Sequence, residues 1–200
     1  MRYSQIPKDV INDMALDVFQ NAIYHGWHDE KRPAEHWLCL AISELMEAVE
    51  ADRKDRHADL KGFNEVVEAS CYDSIEDIFE GYIKDTFEDE LADTAIRLLD
   101  LAKTFDIQLK PAEYDEADRE LMIPDAEFTI IAYVLTAELA PFIEISDEVT
   151  WRVELEFIIN DILCLLFMVA ERYRFDLMEF VKLKMDYNRS RPFKHGGKKY

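Results

Sequence analysis

Glycine and proline are scarce in this chain, five and six among 200 residues. So few turn formers and helix breakers exclude collagenous, low-complexity and turn-rich all-β architectures. Cysteine is equally sparse. Cys39, Cys71 and Cys164 are odd in number and widely spaced, which excludes a complete disulfide framework and a zinc site of the Cys-x-x-Cys kind. Two lie in apolar helical stretches, and the three are expected to be buried free thiols in a reducing compartment. The longest apolar run, Ile162 to Ala170, covers nine residues, far below the ~20 that span a bilayer. Met1-Arg2-Tyr3-Ser4-Gln5 has no apolar signal core, so a cytoplasmic protein without membrane contact is expected. Positive charge is short as well: 23 bases against 43 acids leave a net charge of −20. Such a field repels a nucleic acid polymer.

What remains is a helical composition. Apolar residues recur at helical period almost throughout, and no stretch alternates as a strand. The pattern predicts helices over 8–24, from Pro33 to 53, 65–79 (the weakest), 84–105, from Pro124 to 145 with Pro141 kinking or shortening it, 147–174 and 176–188. Residues 53–64 are expected as loop and 189–200 as an extended tail. One all-α domain over 1–200 is the expected organisation, with a four-helix-bundle core.

Two pairs of acids stand inside otherwise apolar helices, Glu44 with Glu47 and Glu90 with Asp93. Residues three apart share one helix face, roughly 5–6 Å between Cβ atoms, so each pair can aim two carboxylates at one point. On a helical wheel Glu44 falls between Leu40 and Trp37, inside the apolar sector, and Glu90 falls beside Leu101 and near Phe87. Glu47 and Asp93 lie further toward the polar side. Glu50 and Asp89 fall on the far side, where solvated charge is expected. Crowded carboxylates at a core's border repel or take up protons unless a positive charge joins them. A hard divalent cation is the simplest answer, and Mg²⁺ held by carboxylates commonly also holds phosphates. Other chemistries lack their residues: there is no Glu-x-x-His for a di-iron bundle, no phosphate-binding Gly-x-x-x-x-Gly-Lys and no Gly-x-Ser-x-Gly. His25 and His28 straddle Gly26 as a helix-end feature. Seven of the 23 bases fall in the last nineteen residues, a cationic arm suited to a phosphorylated ligand.

The chain also echoes itself. Ala102 to Leu109 resembles Ala170 to Leu177 at an offset of 68, and Ile42 to Leu45 resembles Thr136 to Leu139 at an offset of 94. The first offset sets Asp161 against Asp93 and Ile158 against Glu90. The second sets Glu138 against Glu44 and Pro141 against Glu47. Half of the acid set is therefore missing from the second copy. The expected layout is an active helical unit over 8–110, a degenerate unit over 120–175 packed against it, and a last helix with a basic tail over 176–200.

Gly26-Trp27 with the run from His36 to Ala51, which contains Glu44 and Glu47, resembles the first motif of the MazG-like all-α nucleoside triphosphate pyrophosphohydrolases. Asp89 to Leu101 resembles their second, the E-x-x-D motif, and Lys184 to Lys198 resembles their C-terminal K-x-x-x-N-x-x-R segment with its His-Gly tail. The resemblance implies Mg²⁺-dependent cleavage of a (deoxy)nucleoside triphosphate between the α and β phosphates, as in nucleotide-pool sanitation, with Mn²⁺ as a substitute metal. It implies Glu44, Glu47, Glu90 and Asp93 as metal ligands; one carboxylate, Glu44 or Glu47, could serve instead as general base to the attacking water. Lys184, Asn188 and Arg191 would hold phosphates or sugar. Trp27 and Trp37 are candidates to stack on the base, with core packing the expected role of a Trp and of Trp37 in particular. The long stretch 111–175 and the 43 positions between Glu47 and Glu90 depart from the family's usual spacing. They resemble dimeric dUTP pyrophosphatases, which build a site from an active and a decayed helical unit, and a homodimer is the expected assembly. The alternative is a catalytically silent nucleotide-binding or scaffold protein of the same fold.

Overall fold

A computed structural model of the chain describes residues 1–69, 74–112, 126–143, 148–197 and 199. Cys71, Pro124 and Lys198 lie outside these residues, as does the start of the second unit before residue 126. The protein is all-helical: among the described residues there is no strand. A short 3₁₀ turn, Tyr3–Gln5, precedes α1 (Lys8–Tyr24), α2 (Ala34–Arg53), α3 (Leu60–Ala69), α4 (Ile75–Tyr82) and α5 (Phe87–Thr104). α6 (Phe128–Leu139), α7 (Glu148–Tyr173) and α8 (Leu177–Ser190) follow, and a tight turn at Lys194–Gly197 closes the described chain. Among the described residues no helix is long and apolar enough to cross a membrane.

α5 is the axis of the bundle. It packs against α1, α2, α7 and α8, while α6 lies on α2 and on α7. The second helical pair thus covers the first, with α6 on α2 and α7 on α5. Phe87, at the start of α5, meets Phe128 of α6, Tyr173 of α7 and Phe175 just beyond it. Being wrapped from several sides, α5 buries thirteen of its eighteen residues.

Several boundaries differ from the sequence expectation, each for a local reason. The expected loop before residue 64 is already helical from Leu60, because the Asp59 carboxylate accepts the Gly62 N–H at 2.8 Å and caps the first turn of α3. α5 begins at Phe87 and not at residue 84, since Thr86 caps it and donates its own hydroxyl to the Ile83 carbonyl. α6 stops at Leu139, before Pro141 and well short of residue 145, as a residue lacking an N–H dictates. Cys39 is exposed, on the side of α2 away from Leu38, Ala41 and Leu45; Cys164 is buried as expected.

The tail is not extended. It folds back on the end of α1, where Lys194 N–H donates to the His25 carbonyl at 3.0 Å and His25 Nε2 lies 2.9 Å from the Arg191 carbonyl. Gly26, at φ 79°, makes this possible twice over. It takes a left-handed conformation, and its missing side chain admits the Phe193 ring, since a Cβ there would lie 2.2 Å from Phe193 Cζ.

Candidate metal centre

The first turn of α5 carries Glu88, Asp89 and Glu90, acids that the helix's N-terminal dipole end favours. Each goes a different way. The Glu88 carboxylate turns to the segment after α2, accepting Ala58 N–H at 2.9 Å and lying 2.9 Å from His57 Nδ1. Asp89 accepts the Asp85 N–H at 2.9 Å, which ties it to the turn preceding its own helix, where Asp85 sits at φ 56°. Glu90 and, one turn on, Asp93 face α2. There they meet Glu44, and ligand oxygens of Glu44, Glu90 and Asp93 all lie within 4.8 Å of one another. Three of the four expected metal ligands are brought together. Glu47 stands one turn along α2, exposed and outside this group, though close enough to act on the charges of Glu44 and Glu90.

Two protein cations enter the cluster. Lys184 of α8, buried beside the Phe79 and Tyr187 rings, bridges Asp89 Oδ2 and Asp93 Oδ2 at 2.7 Å each. Arg97 of α5 donates from Nε at 2.9 Å and from Nη2 at 2.7 Å to Glu44 Oε1. Neither pairing is among the sequence expectations. Asp89 was expected among solvated charges, yet it is fully buried, because α8 covers the far face of α5 and Lys184 supplies the counter-charge. The available signal was the stripe Glu90, Asp93, Arg97, Asp100 at intervals of three and four, a base set within acids on one helix face.

The charges do not cancel. Glu44, Glu47, Asp89, Glu90 and Asp93 are five acids against Lys184 and Arg97, an excess of 5 − 2 = 3 when all are ionised. Burial pushes Glu90 up to about 9, with the Asp93 and Asp89 charges adding to it. Burial also raises Glu44, against Arg97, with Asp93 and Glu47 reinforcing the rise. Asp89 is raised by burial and opposed by Lys184. Burial works against the Lys184 ammonium, but Asp93 and Asp89 outweigh it and hold it charged. Without a further cation the cluster therefore takes up protons. One carboxylate oxygen, Asp89 Oδ1, is buried with no hydrogen-bond partner. Hard oxygens from the three converging carboxylates and the surplus negative charge around them form a donor set that fits a hard divalent cation, while Asp89 stands outside the converging group.

The remaining expected residues extend from this point along α8. Asn188 is buried one turn after Lys184, and Arg191 Nη1 lies 3.5 Å from its side-chain oxygen while the guanidinium stands over the Tyr187 ring at 5.6 Å. Trp27, half-buried in the turn after α1, meets the His195 ring edge-on at 5.1 Å. Trp37 is core, as expected, and stacks on His28 with centroids 4.8 Å apart. His25 is the C-cap of α1 and a helix-end feature. His28 is more than that: its Nε2 lies 2.9 Å from buried Asp100, whose carboxyl burial raises and His28 draws back down.

Comparisons with models of known families, with curated proteins and with solved structures find no match for this chain.

Proposed function

We propose that the protein is a Mg²⁺-dependent hydrolase that cleaves a (deoxy)nucleoside triphosphate to its monophosphate and pyrophosphate. The observation that carries this reading is the convergence of Glu44, Glu90 and Asp93, from two helices, beside a buried lysine. The motif resemblance supports the substrate class. Glu44, Glu90 and Asp93 would hold the metal, which when bound would screen the phosphates from the acids and polarise the α-phosphorus. Glu44 is committed to Arg97, so exposed Glu47 is the carboxylate left to accept a proton from the attacking water. The water oxygen bonds to the α-phosphorus as the bond from that phosphorus to the α–β bridging oxygen breaks, and pyrophosphate leaves. Arg191, at the mouth of α8, would offset the leaving group's charge. Lys184, spent on Asp89 and Asp93, would act on the acids first and on phosphate only as Asp93 is released. A cytoplasmic setting and a homodimer complete the proposal; the exposed apolar residues Val149, Val153 and Phe157, at i, i+4 and i+8 of α7, support a second copy.

A panel of nucleoside triphosphates with Mg²⁺, resolved for products, tests the reaction. Monophosphate and pyrophosphate are expected, whereas orthophosphate as the first product excludes α–β cleavage. One observation favours a second reading, a silent nucleotide-binding or scaffold protein. Lys184 and Arg97 already pair three of the acids internally, an arrangement that also serves a purely structural polar core. Nucleotide binding without turnover over the whole panel would select it.

A further inference from the structure

Glu90, Asp93, Arg97 and Asp100 share one face of α5, so the Arg97 guanidinium stands in a column of carboxyls. Asp93 lies on one side of it and Asp100 on the other, both close enough to act on its charge. Asp100 is itself anchored by His28 at 2.9 Å, and His28 is held by its stack on Trp37. Flanked by these charges along its own helix, Arg97 reaches across to α2. It spends two N–H groups, Nε and Nη2, on the same oxygen of Glu44. The contact is not an ordinary surface ion pair, for the Glu44 side chain is only 13% exposed and that of Arg97 29%. Two donors from one rigid planar fork restrict the carboxylate's swing where one bond would not. Both hydrogen bonds fall on Oε1.

We propose that Arg97 is a positioning residue of the metal centre: it grips Glu44 by one oxygen and so orients the other toward the cation. The proposal rests on the metal-centre reading above. Charge and orientation predict opposite results when Arg97 is replaced. A cation inside an acid cluster repels an incoming metal, so removing a mere counter-charge tightens metal binding. Removing the grip loosens it, and partners that orient metal ligands are typically worth about 10–100-fold in affinity or activity.

The test is Mn²⁺ binding to the full chain, followed by the electron paramagnetic resonance signal of free Mn²⁺, in wild type, Arg97→Met, Arg97→Lys, Glu44→Gln and Glu44→Gln/Arg97→Met. Wild type is expected to bind; failure there overturns the metal-centre reading and this proposal with it. Given wild-type binding, both Arg97 variants are expected to weaken it about tenfold or more. The double variant is expected to bind within about twofold of Glu44→Gln, since a residue acting through Glu44 has nothing left to act on. Unchanged or tighter binding in Arg97→Met overturns the positioning role alone, and so does full additivity in the double variant. Should Arg97→Met fail to fold, Arg97→Lys decides: it keeps the charge and loses the fork, and wild-type affinity in it refutes the proposal.

Discussion

At the end of α5 the chain turns through Asp106 at φ 53°, and Ile107 N–H donates to the Ala102 carbonyl at 2.7 Å; at the end of α7, 68 residues later, it turns through Arg174 at φ 65°, and Phe175 N–H donates to the Ala170 carbonyl at 3.0 Å. The companion bonds match too, Asp106 N–H to Lys103 and Arg174 N–H to Glu171. Both are helix ends of the Schellman kind, built without glycine. The contents of the two pairs differ. Where α5 buries Glu90 opposite Glu44, the aligned position of α7 carries half-buried Ile158; Glu138, aligned with Glu44, is exposed near the end of α6. Among the described residues no other acids converge as Glu44, Glu90 and Asp93 do. A helical pair thus forms on apolar faces and end caps alone, with or without the acids. The acid cluster stands where Lys184 and Arg97 reach it.

The largest effect is expected at the counter-charge of the buried acids. Lys184→Met leaves Asp89 and Asp93 buried without their cation, and we expect a loss of about 3–5 kcal/mol in urea unfolding. Lys110→Met, which removes an exposed partner of Glu156 on α7, should cost under about 1 kcal/mol. Equal losses would mean that the two pairs are not differently loaded.

Next come the acids themselves. Glu44→Gln, Glu90→Gln and Asp93→Asn are each expected to lower kcat at least ~100-fold in the Mg²⁺-dependent assay, as loss of a metal ligand would. Glu47→Gln should cost about as much if that residue is the base, but should leave Mn²⁺ affinity within about threefold of wild type, a split that the three converging acids should not show.

The load should also appear as a pH dependence in the metal-free protein. Folded Glu90, raised to about 9, keeps its proton where the unfolded chain, at about the ordinary 4.5, has lost it. The folded form therefore binds more protons across that window, and stability falls as pH rises through it. Thermal unfolding with chelator from pH 5 to 8 should show a declining Tm in wild type. Glu90→Gln, which has no proton to give up, should flatten the decline and unfold at least about 2 °C higher at pH 8. An unchanged slope would show that Glu90 does not carry the load.

The smallest effect belongs to the second pair. Glu138→Gln and Asp161→Asn should leave Mg²⁺-dependent turnover within about threefold of wild type, under ~1 kcal/mol in the barrier. Large losses in folded variants would assign that pair a direct part in the site.

Much of this protein is written in local pattern. Period and nearby breakers sufficed for α1 over 8–24, for α2 after Pro33 and for the long α7, because the apolar period of each is a property of its own residues. The same pattern placed Glu44 and Glu90 at the border of the core. Tertiary structure decided what a single helix cannot know, namely which partner covers its other face. α5 is enclosed by α1, α2, α7 and α8, so Asp89, polar on the wheel of its own helix, ends fully buried against a lysine 95 residues away. The tail, patternless in sequence, is held by its hydrogen bonds to His25 and by the gap that Gly26 leaves for Phe193. Periodicity reports how a helix divides its own surface. Charge pairing and burial depend on what packs against that surface, and only the assembled bundle settles that.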